Sequence, residues 1–340
     1  MVGGLPNLGN TCYLNAALQC LLFAPPVTNY VLAGLADADL ARRRVNACAL
    51  ATAYSALVRA YWTPRDPAAQ GEIPADGGVR EALERVRAAL YKLHRPLASR
   101  EPQDAHEALT AMVRHLHDAW GRTPRVRGSL AWDHVDQAAW ETACAKGGYS
   151  MLTEVFQGQE ARAVETAAGP GAPGGPAAPA GRSVGHEHFT GVSLDVRPTL
   201  EESIAAYLAP EPVEGYLVDG QPRDALLRRE FSYAPLVLLV QLKRFDPAGG
   251  KVDSPVAYPL RLALPGPGPG GEPGGGGQYA LYGVCYHRGG HYTAACEANG
   301  RWYAMDDEVV TAIDPGELAT EQARRDAYVL AYKKVLADGT

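Results

Sequence analysis

Gly4-Leu5-Pro6-Asn7-Leu8-Gly9-Asn10-Thr11-Cys12-Tyr13-Leu14-Asn15 is the stretch on which the reading of this chain turns. Two glycines, a proline and two asparagines predict tight turns up to Asn10 or Thr11, both suitable N-caps. Tyr13, Leu14, Ala17, Leu18, Leu21 and Leu22 then recur at helical spacing, so Cys12 falls in the first turn of a helix. A thiol there sits at the positive end of the helix dipole, which favours the thiolate that attacks carbonyl carbon. Unpaired cysteines are more often small buried hydrophobes, so Cys12 becomes a candidate nucleophile only if a base and an orienting acid exist elsewhere in the chain.

Composition narrows the classes. The chain has 340 residues, 46% of them hydrophobic, enough for one large domain with a sizeable core. Its net charge is −6, and the longest basic run is Arg42-Arg43-Arg44, so nucleic acid is not an expected partner. The purely apolar run Leu236–Val240 is far too short to cross a bilayer, and Met1-Val2-Gly3-Gly4 leads into the motif without an apolar signal segment; no membrane association is expected. Six cysteines, at 12, 20, 48, 144, 285 and 296, are sparse and irregular. They predict no disulfide framework and suit a reducing, intracellular compartment, cytoplasm or nucleus. No C-x-x-C occurs, which disfavours a cysteine-based zinc site, and no cofactor is expected.

The first part of the chain reads as helical. Leu50, Tyr54, Leu57, Val58 and Tyr61 form one apolar stripe, and Val79, Leu83, Val86, Leu90 and Leu93 a second. A third, Ala105, Leu109, Met112, Val113 and Leu116, leaves Gln103, Asp104 and Glu107 on the opposite, polar face. His115 and His117 are two apart on that helix and point away from each other, so a shared metal ion is not expected.

From about Tyr149 the pattern changes to short strand-like runs, interrupted by Ala/Gly/Pro low complexity at 169–181 and again by Pro/Gly at 265–277; the first is read as a disordered loop. Thr199 followed by Glu202 opens a short capped helix. Pro235–Phe245 is an apolar run of strand length, consistent with a strand buried on both faces, while Lys243 and Arg244 near its end could face solvent or ligand.

Asn299-Gly300 is the strongest hairpin signal in the chain. A two-residue turn there places Ala298 opposite Arg301, Thr293 opposite Asp306 and His291 opposite Glu308. Side-chain alternation then puts His291, Thr293, Asp306 and Glu308 on one face and Asp307 on the other. Asp306 is one diagonal step from His291, which selects it to orient the imidazole; a single bulge would reverse the choice in favour of Asp307.

The segments around Cys12, Gly289-Gly290-His291-Tyr292 and Asp306-Asp307 together resemble the cysteine and histidine boxes of the ubiquitin-specific protease family, the papain-like deubiquitinases. Gln103-Asp104-Ala105-His106-Glu107-Ala108-Leu109 is similar to the family's second signature, and Leu242-Lys243-Arg244-Phe245 to a third. The resemblance runs from Leu5 to about Tyr332. It implies an α+β, papain-like cysteine protease fold in one catalytic domain over 1–340: a helical thumb (about 1–148), β fingers (149–234) and a β palm (235–335). Many members carry two zinc-binding C-x-x-C knuckles in the fingers; this sequence has none, so the resemblance implies zinc-free fingers held by packing.

The resemblance also implies roles. Cys12 would be the nucleophile, His291 the base and acid, Asp306 the orienting residue (Asp307 the alternative), and Asn7 a donor to the tetrahedral oxyanion. Gln103, Asp104 and Glu107, with Gly290 and Tyr292, would hold the arginine-rich, glycine-ended tail of ubiquitin. The implied enzyme is a monomeric cysteine-type deubiquitinase acting on ubiquitin and ubiquitinated proteins. A ubiquitin-binding scaffold without turnover and a protease for a ubiquitin-like modifier are the alternatives.

Overall fold

The helix that begins at Cys12 is buried on every side, not on one stripe. In the structure, a computed structural model in which residues 2–42, 48–62, 78–99, 101–121, 136–168, 180–218, 220–245, 249–266 and 276–336 are described, α1 (Cys12–Leu22) has all residues from Tyr13 to Leu22 buried. It packs on the palm sheet on one side and on other helices on the other. Around it lie α2 (Pro25–Leu32), α3 (Leu35–Ala41), α4 (Ala49–Trp62), α5 (Val79–Leu93), α6 (Ala105–Ala119), α7 (Gln137–Gly147) and α8 (Met151–Phe156). The three apolar stripes are the buried faces of α4, α5 and α6, with one exception: Leu93, in the last turn of α5, is 44% exposed because the helix ends there, beyond the edge of the core.

The helices continue past the expected change at Tyr149. Ser150 caps α8, accepting from the Leu152 N–H at 3.0 Å while its own N–H donates to Thr153 Oγ1 at 3.1 Å, so Glu154, Val155 and Phe156 are helical and not strand. The reciprocal cap outweighs the β-branched content of this short run. Strands begin at β1 (Gly158–Thr166), followed by β2 (Gly181–Phe189). Gly181 thus opens a strand instead of closing the low-complexity loop, whose residues 169–179 lie outside the described residues, as do 267–275 of the second loop.

The stretch from Phe189 to Val196 is divided between two sheets. Phe189 ends β2 in the fingers, whereas β3 (Val192–Asp195) pairs in parallel with β6 (Val237–Lys243) in the palm. After α9 (Leu200–Leu208), capped by Thr199 Oγ1 accepting from the Glu202 N–H at 3.1 Å, the chain returns to the fingers as β4 (Glu211–Val218) and β5 (Gln221–Tyr233). The finger sheet has the order β2-β1-β5-β4. Side-chain ion pairs join its strands as well as packing: Arg162 reaches Glu187 at 2.6 Å, Arg228 reaches Glu165 at 3.0 Å and Arg229 reaches Glu211 at 2.6 Å.

The palm is completed by β7 (Arg261–Ala263), β8 (Gln278–Arg288), β9 (His291–Ala298), β10 (Arg301–Asp306), β11 (Val309–Ile313), α10 (Glu321–Asp326) and β12 (Ala327–Lys334). Its sheet order is β11-β10-β9-β8-β12-β6-β3, with β7 on β8. Alternation along β6 sends Val237 and Leu239 into the core shared with the helices, and Leu238, Val240 and Leu242 into a second core on the outer face. A sheet covered on both faces accounts for the uninterrupted apolar run.

Candidate active site

Three two-residue turns in succession build the histidine side of the site. Gly289-Gly290 joins β8 to β9, with both glycines at positive φ (57° and 83°) and Arg288 paired with His291. Asn299-Gly300 joins β9 to β10 at φ 52° and 76°, and the ladder runs from Arg301 opposite Ala298 to Met305 opposite Ala294, the register the turn predicts. The third turn alters one expectation. The chain does not continue straight to place Glu308 opposite His291; it reverses at Asp307 (φ 51°), and Asp306 pairs with Val309 of β11. The imidazole of His291 therefore meets Asp306, its Nε2 lying 2.6 Å from Asp306 Oδ1, which leaves Nδ1 as the nitrogen able to exchange a proton with a thiol.

Asp307 has a separate task. Its carboxylate accepts from Asn7 Nδ2 at 2.8 Å and from Asn15 Nδ2 at 2.7 Å, and its backbone carbonyl accepts from the Leu5 N–H at 2.9 Å. The acid that the sequence offers as the alternative orienting residue instead ties the cysteine segment to the histidine hairpin. Gly4 permits this crossing, since a Cβ there would lie 2.5 Å from the Glu308 backbone. Asn15 is a site residue that the sequence motifs do not single out; it and Gln19 are the two buried polar side chains of an otherwise apolar helix, which is the signal that marks the pair.

The loop before Cys12 is held from within. Asn7 Oδ1 accepts from the Gly9 N–H at 2.9 Å, Thr11 Oγ1 accepts from the Leu8 N–H at 2.8 Å, and Arg87 of α5 donates to the Leu8 carbonyl at 2.6 Å. With its hydroxyl turned back to Leu8, Thr11 does not cap α1 with its side chain. Cys12 is half-buried and lines a cleft of about 590 Å³.

That cleft gathers residues distant in sequence. Gln103, Asp104 and Glu107 form one wall, and Gly290 and Tyr292, the two neighbours of His291, stand on the other. Asp104 caps α6, accepting from the Glu107 N–H at 2.9 Å, and also accepts from the Tyr328 hydroxyl of β12. Glu107 lies 2.8 Å from His94 Nε2, and Gln103 Nε2 donates to Ser99 Oγ at 2.7 Å. Phe245 and His287 complete the floor, neither of them marked by the sequence as a site residue. Phe245 is 40% exposed just past the end of β6, while burial, followed by the nearby Lys251 ammonium, pushes the His287 pKa down. The cleft is lined by Glu101, Asp104 and Glu107 and, among the described residues, by no lysine or arginine, so it suits an extended chain carrying positive charge.

His291, Asp306 and Asp307 also bring their side-chain nitrogen and oxygen atoms within 4.8 Å of one another, a set that could hold a metal ion. The hydrogen bond from His291 to Asp306, and those from Asn7 and Asn15 to Asp307, engage the same atoms.

The model of the ubiquitin carboxyl-terminal hydrolase family matches residues 3–332. The chain belongs to this family. Curated relatives include ubiquitin carboxyl-terminal hydrolase 17-like protein B of Mus musculus, 27% identical over 97% of this chain and 63% of the relative. Ubiquitin carboxyl-terminal hydrolase 25 of Arabidopsis thaliana is 26% identical over 97% of this chain and 47% of its own length. This hydrolase-family chain thus spans about half to under two-thirds of the curated relatives it matches first. Among solved structures it is similar to the SAGA Ubp8/Sgf11/Sus1/Sgf73 DUB module bound to ubiquitin aldehyde, with a TM-score of 0.73, 20% identity, and coverage of 98% of this chain and 69% of that one. A cysteine-to-alanine variant of the same module, bound to monoubiquitin, gives a TM-score of 0.70 at 20% identity, again over 98% of this chain and 69% of that one. The α+β, papain-like fold expected from the sequence is the fold of these structures.

Proposed function

We propose that this chain is a deubiquitinating thiol protease that hydrolyses the isopeptide or peptide bond after the C-terminal glycine of ubiquitin, in an intracellular compartment. One observation carries the reading: Cys12, at the amino end of α1, shares an acidic cleft with the two neighbours of His291, whose imidazole is fixed by Asp306. Family membership and the ubiquitin-bound structures of similar fold support it.

In this mechanism His291 Nδ1 takes the Cys12 proton, the sulfur attacks the acyl carbon, and the imidazolium returns the proton to the departing amine. Water then hydrolyses the thioester with His291 again as base. Asp306 fixes the tautomer and balances the imidazolium charge. The second N–H of the Asn7 amide, the first being held by Asp307, serves the oxyanion together with the Cys12 backbone N–H; a donor of this kind is worth roughly 3 kcal/mol of barrier. Asp104 and Glu107 receive the arginines of the ubiquitin tail, and Gly290 and Tyr292 flank its glycines.

The test is a panel of C-terminal electrophiles on ubiquitin and on ubiquitin-like modifiers. A covalent adduct with the ubiquitin probe, mapped to Cys12 by mass spectrometry, is expected. Labelling by a different modifier alone would redirect the specificity, and labelling by none would overturn the protease.

Asp307→Ala tests the tie between the two halves. Losing both amide contacts frees the cysteine segment by an amount of order 1 Å, so kcat/KM on a fluorogenic ubiquitin amide is expected to fall about 100-fold. Asp307→Asn, which keeps one acceptor oxygen, is expected to recover part of this. Unchanged turnover by the alanine variant would remove Asp307 from the positioning of the site.

A further inference from the structure

A second groove, of about 430 Å³, opens on the other face of the strand that carries His291. Alternation along β9 separates the two depressions: Tyr292 lines the Cys12 cleft, while His291 and Thr293 line this groove together with Asp306. Its far wall is the segment leading into and through α10, contributed by Glu317, Leu318 and Gln322. His291 lines the second groove, and its chain neighbours Gly290 and Tyr292 line the first.

From this juxtaposition we propose that the second groove receives the leaving chain, a polypeptide segment that carries the scissile lysine with basic residues beside it. The inference rests on the protease reading above. An acyl group held in the Cys12 cleft must release its amine where His291 can protonate it, and the chain attached to that amine then has to lie beyond the imidazole. The groove is continuous with the catalytic residues on that side, sharing both His291 and Asp306.

Its surface suits such an occupant. Val309, 61% exposed, together with half-buried Ala304, offers apolar contact to lysine methylenes. The charged lining comprises Asp306, Glu317 and Asp326 against Arg288 alone. Asp326 is already engaged by Lys251 at 3.5 Å and by Gln322 at 2.8 Å, whereas exposed Glu317 accepts from the Asp314 backbone N–H and keeps its negative charge uncompensated by that contact. Exposed Thr311, on β11 and lining the groove, is the position at which a cation would repel a basic chain.

The experiment compares Thr311→Arg with the unmodified chain on three substrates. One is ubiquitin C-terminally linked to aminomethylcoumarin, whose leaving group is too small to enter the groove. The others are ubiquitin joined through an isopeptide bond to a labelled lysine peptide with basic flanks, and to one with acidic flanks. Thr311→Arg is expected to leave the coumarin reaction within about twofold and to lower kcat/KM on the basic conjugate roughly tenfold, through KM, while sparing the acidic conjugate. Glu317→Gln is expected to shift the same preference in the same direction by a smaller factor. Equal effects of Thr311→Arg on all three substrates, or none on any, overturn the proposal. Absence of coumarin release by the unmodified chain overturns the protease reading and this inference with it.

Discussion

Cys12→Ala is expected to abolish hydrolysis of a ubiquitin C-terminal amide, lowering kcat by roughly four orders of magnitude or more, while the protein still binds ubiquitin and melts within a degree or two of the parent. The kinetic loss is large because Cys12 is the one thiol among the described residues lining the cleft, and members of a nucleophile–base pair fail as a unit. The structural cost is small because Cys12 is only half-buried at a helix end, where loss of one sulfur costs less than about 1 kcal/mol. Cys20, Cys285 and Cys296 supply the contrast. They are buried between α1 and the strands β8 and β9, with Cys20 and Cys285 in thiol contact at 3.4 Å. Alanine at any of them should lower stability by about 1 kcal/mol or more and leave the chemistry intact. Kinetics and thermal denaturation measured on all four variants separate the roles. A Cys12→Ala protein that retains turnover, or a Cys20→Ala protein that loses it without unfolding, would invert the assignment.

Local rules make much of this site readable from the sequence alone. Each hairpin carries a dipeptide that prefers positive φ, and a two-residue turn fixes register, so the parity of His291, Thr293 and Asp306 follows from Asn299-Gly300. The error at Glu308 has the same source. Asp307-Glu308 is a weaker turn signal than Asn-Gly, and extending the strand two residues too far places Glu308 opposite His291. Likewise the Thr153 cap that keeps 151–156 helical is a hydrogen bond a few residues long, hidden beneath β-branched composition. What cannot be read is anything set by packing between distant segments. Asp307 shows no preference in sequence between orienting His291 and binding two asparagines 292 and 300 residues away. The same holds for β3, whose composition suits either sheet and whose place beside β6 is decided by the outer core it completes with Leu194 and Leu242.

Arg244 is the sharpest case of a residue whose role only the tertiary structure decides, and its removal is expected to cost more stability than removal of any of the ion-paired arginines of the fingers, Arg162, Arg228 or Arg229. It is fully buried at the end of β6. Its guanidinium donates to four backbone carbonyls: Nε to Ala327 at 2.5 Å, Nη1 to Val252 and Ser254 at 2.9 Å each, and Nη2 to Arg324 at 2.6 Å. These carbonyls belong to three segments, the end of α10, the start of β12 and the stretch after β6, which one planar fork holds together. Burial pulls the Arg244 pKa down from its ordinary value, and the carboxylates of Asp253 and Asp326 oppose that pull. Arg244→Met keeps the apolar stem but takes the guanidinium away from four carbonyls, that of Ala327 buried and the other three partly so, which is expected to lower the unfolding free energy by about 3 kcal/mol. Arg244→Lys should recover less than half, because one ammonium cannot meet four acceptors spread around a plane. Urea titration checks this as a lower midpoint at an unchanged slope. Activity should follow by a specific route: Lys251, in the segment that Arg244 secures, donates to the His287 carbonyl at 2.8 Å, and His287 forms part of the cleft floor. At temperatures where Arg244→Met remains folded, KM for ubiquitin substrates should therefore rise more than kcat falls; a variant as stable as the parent would mean that water replaces the fork, and that the outer palm does not depend on it.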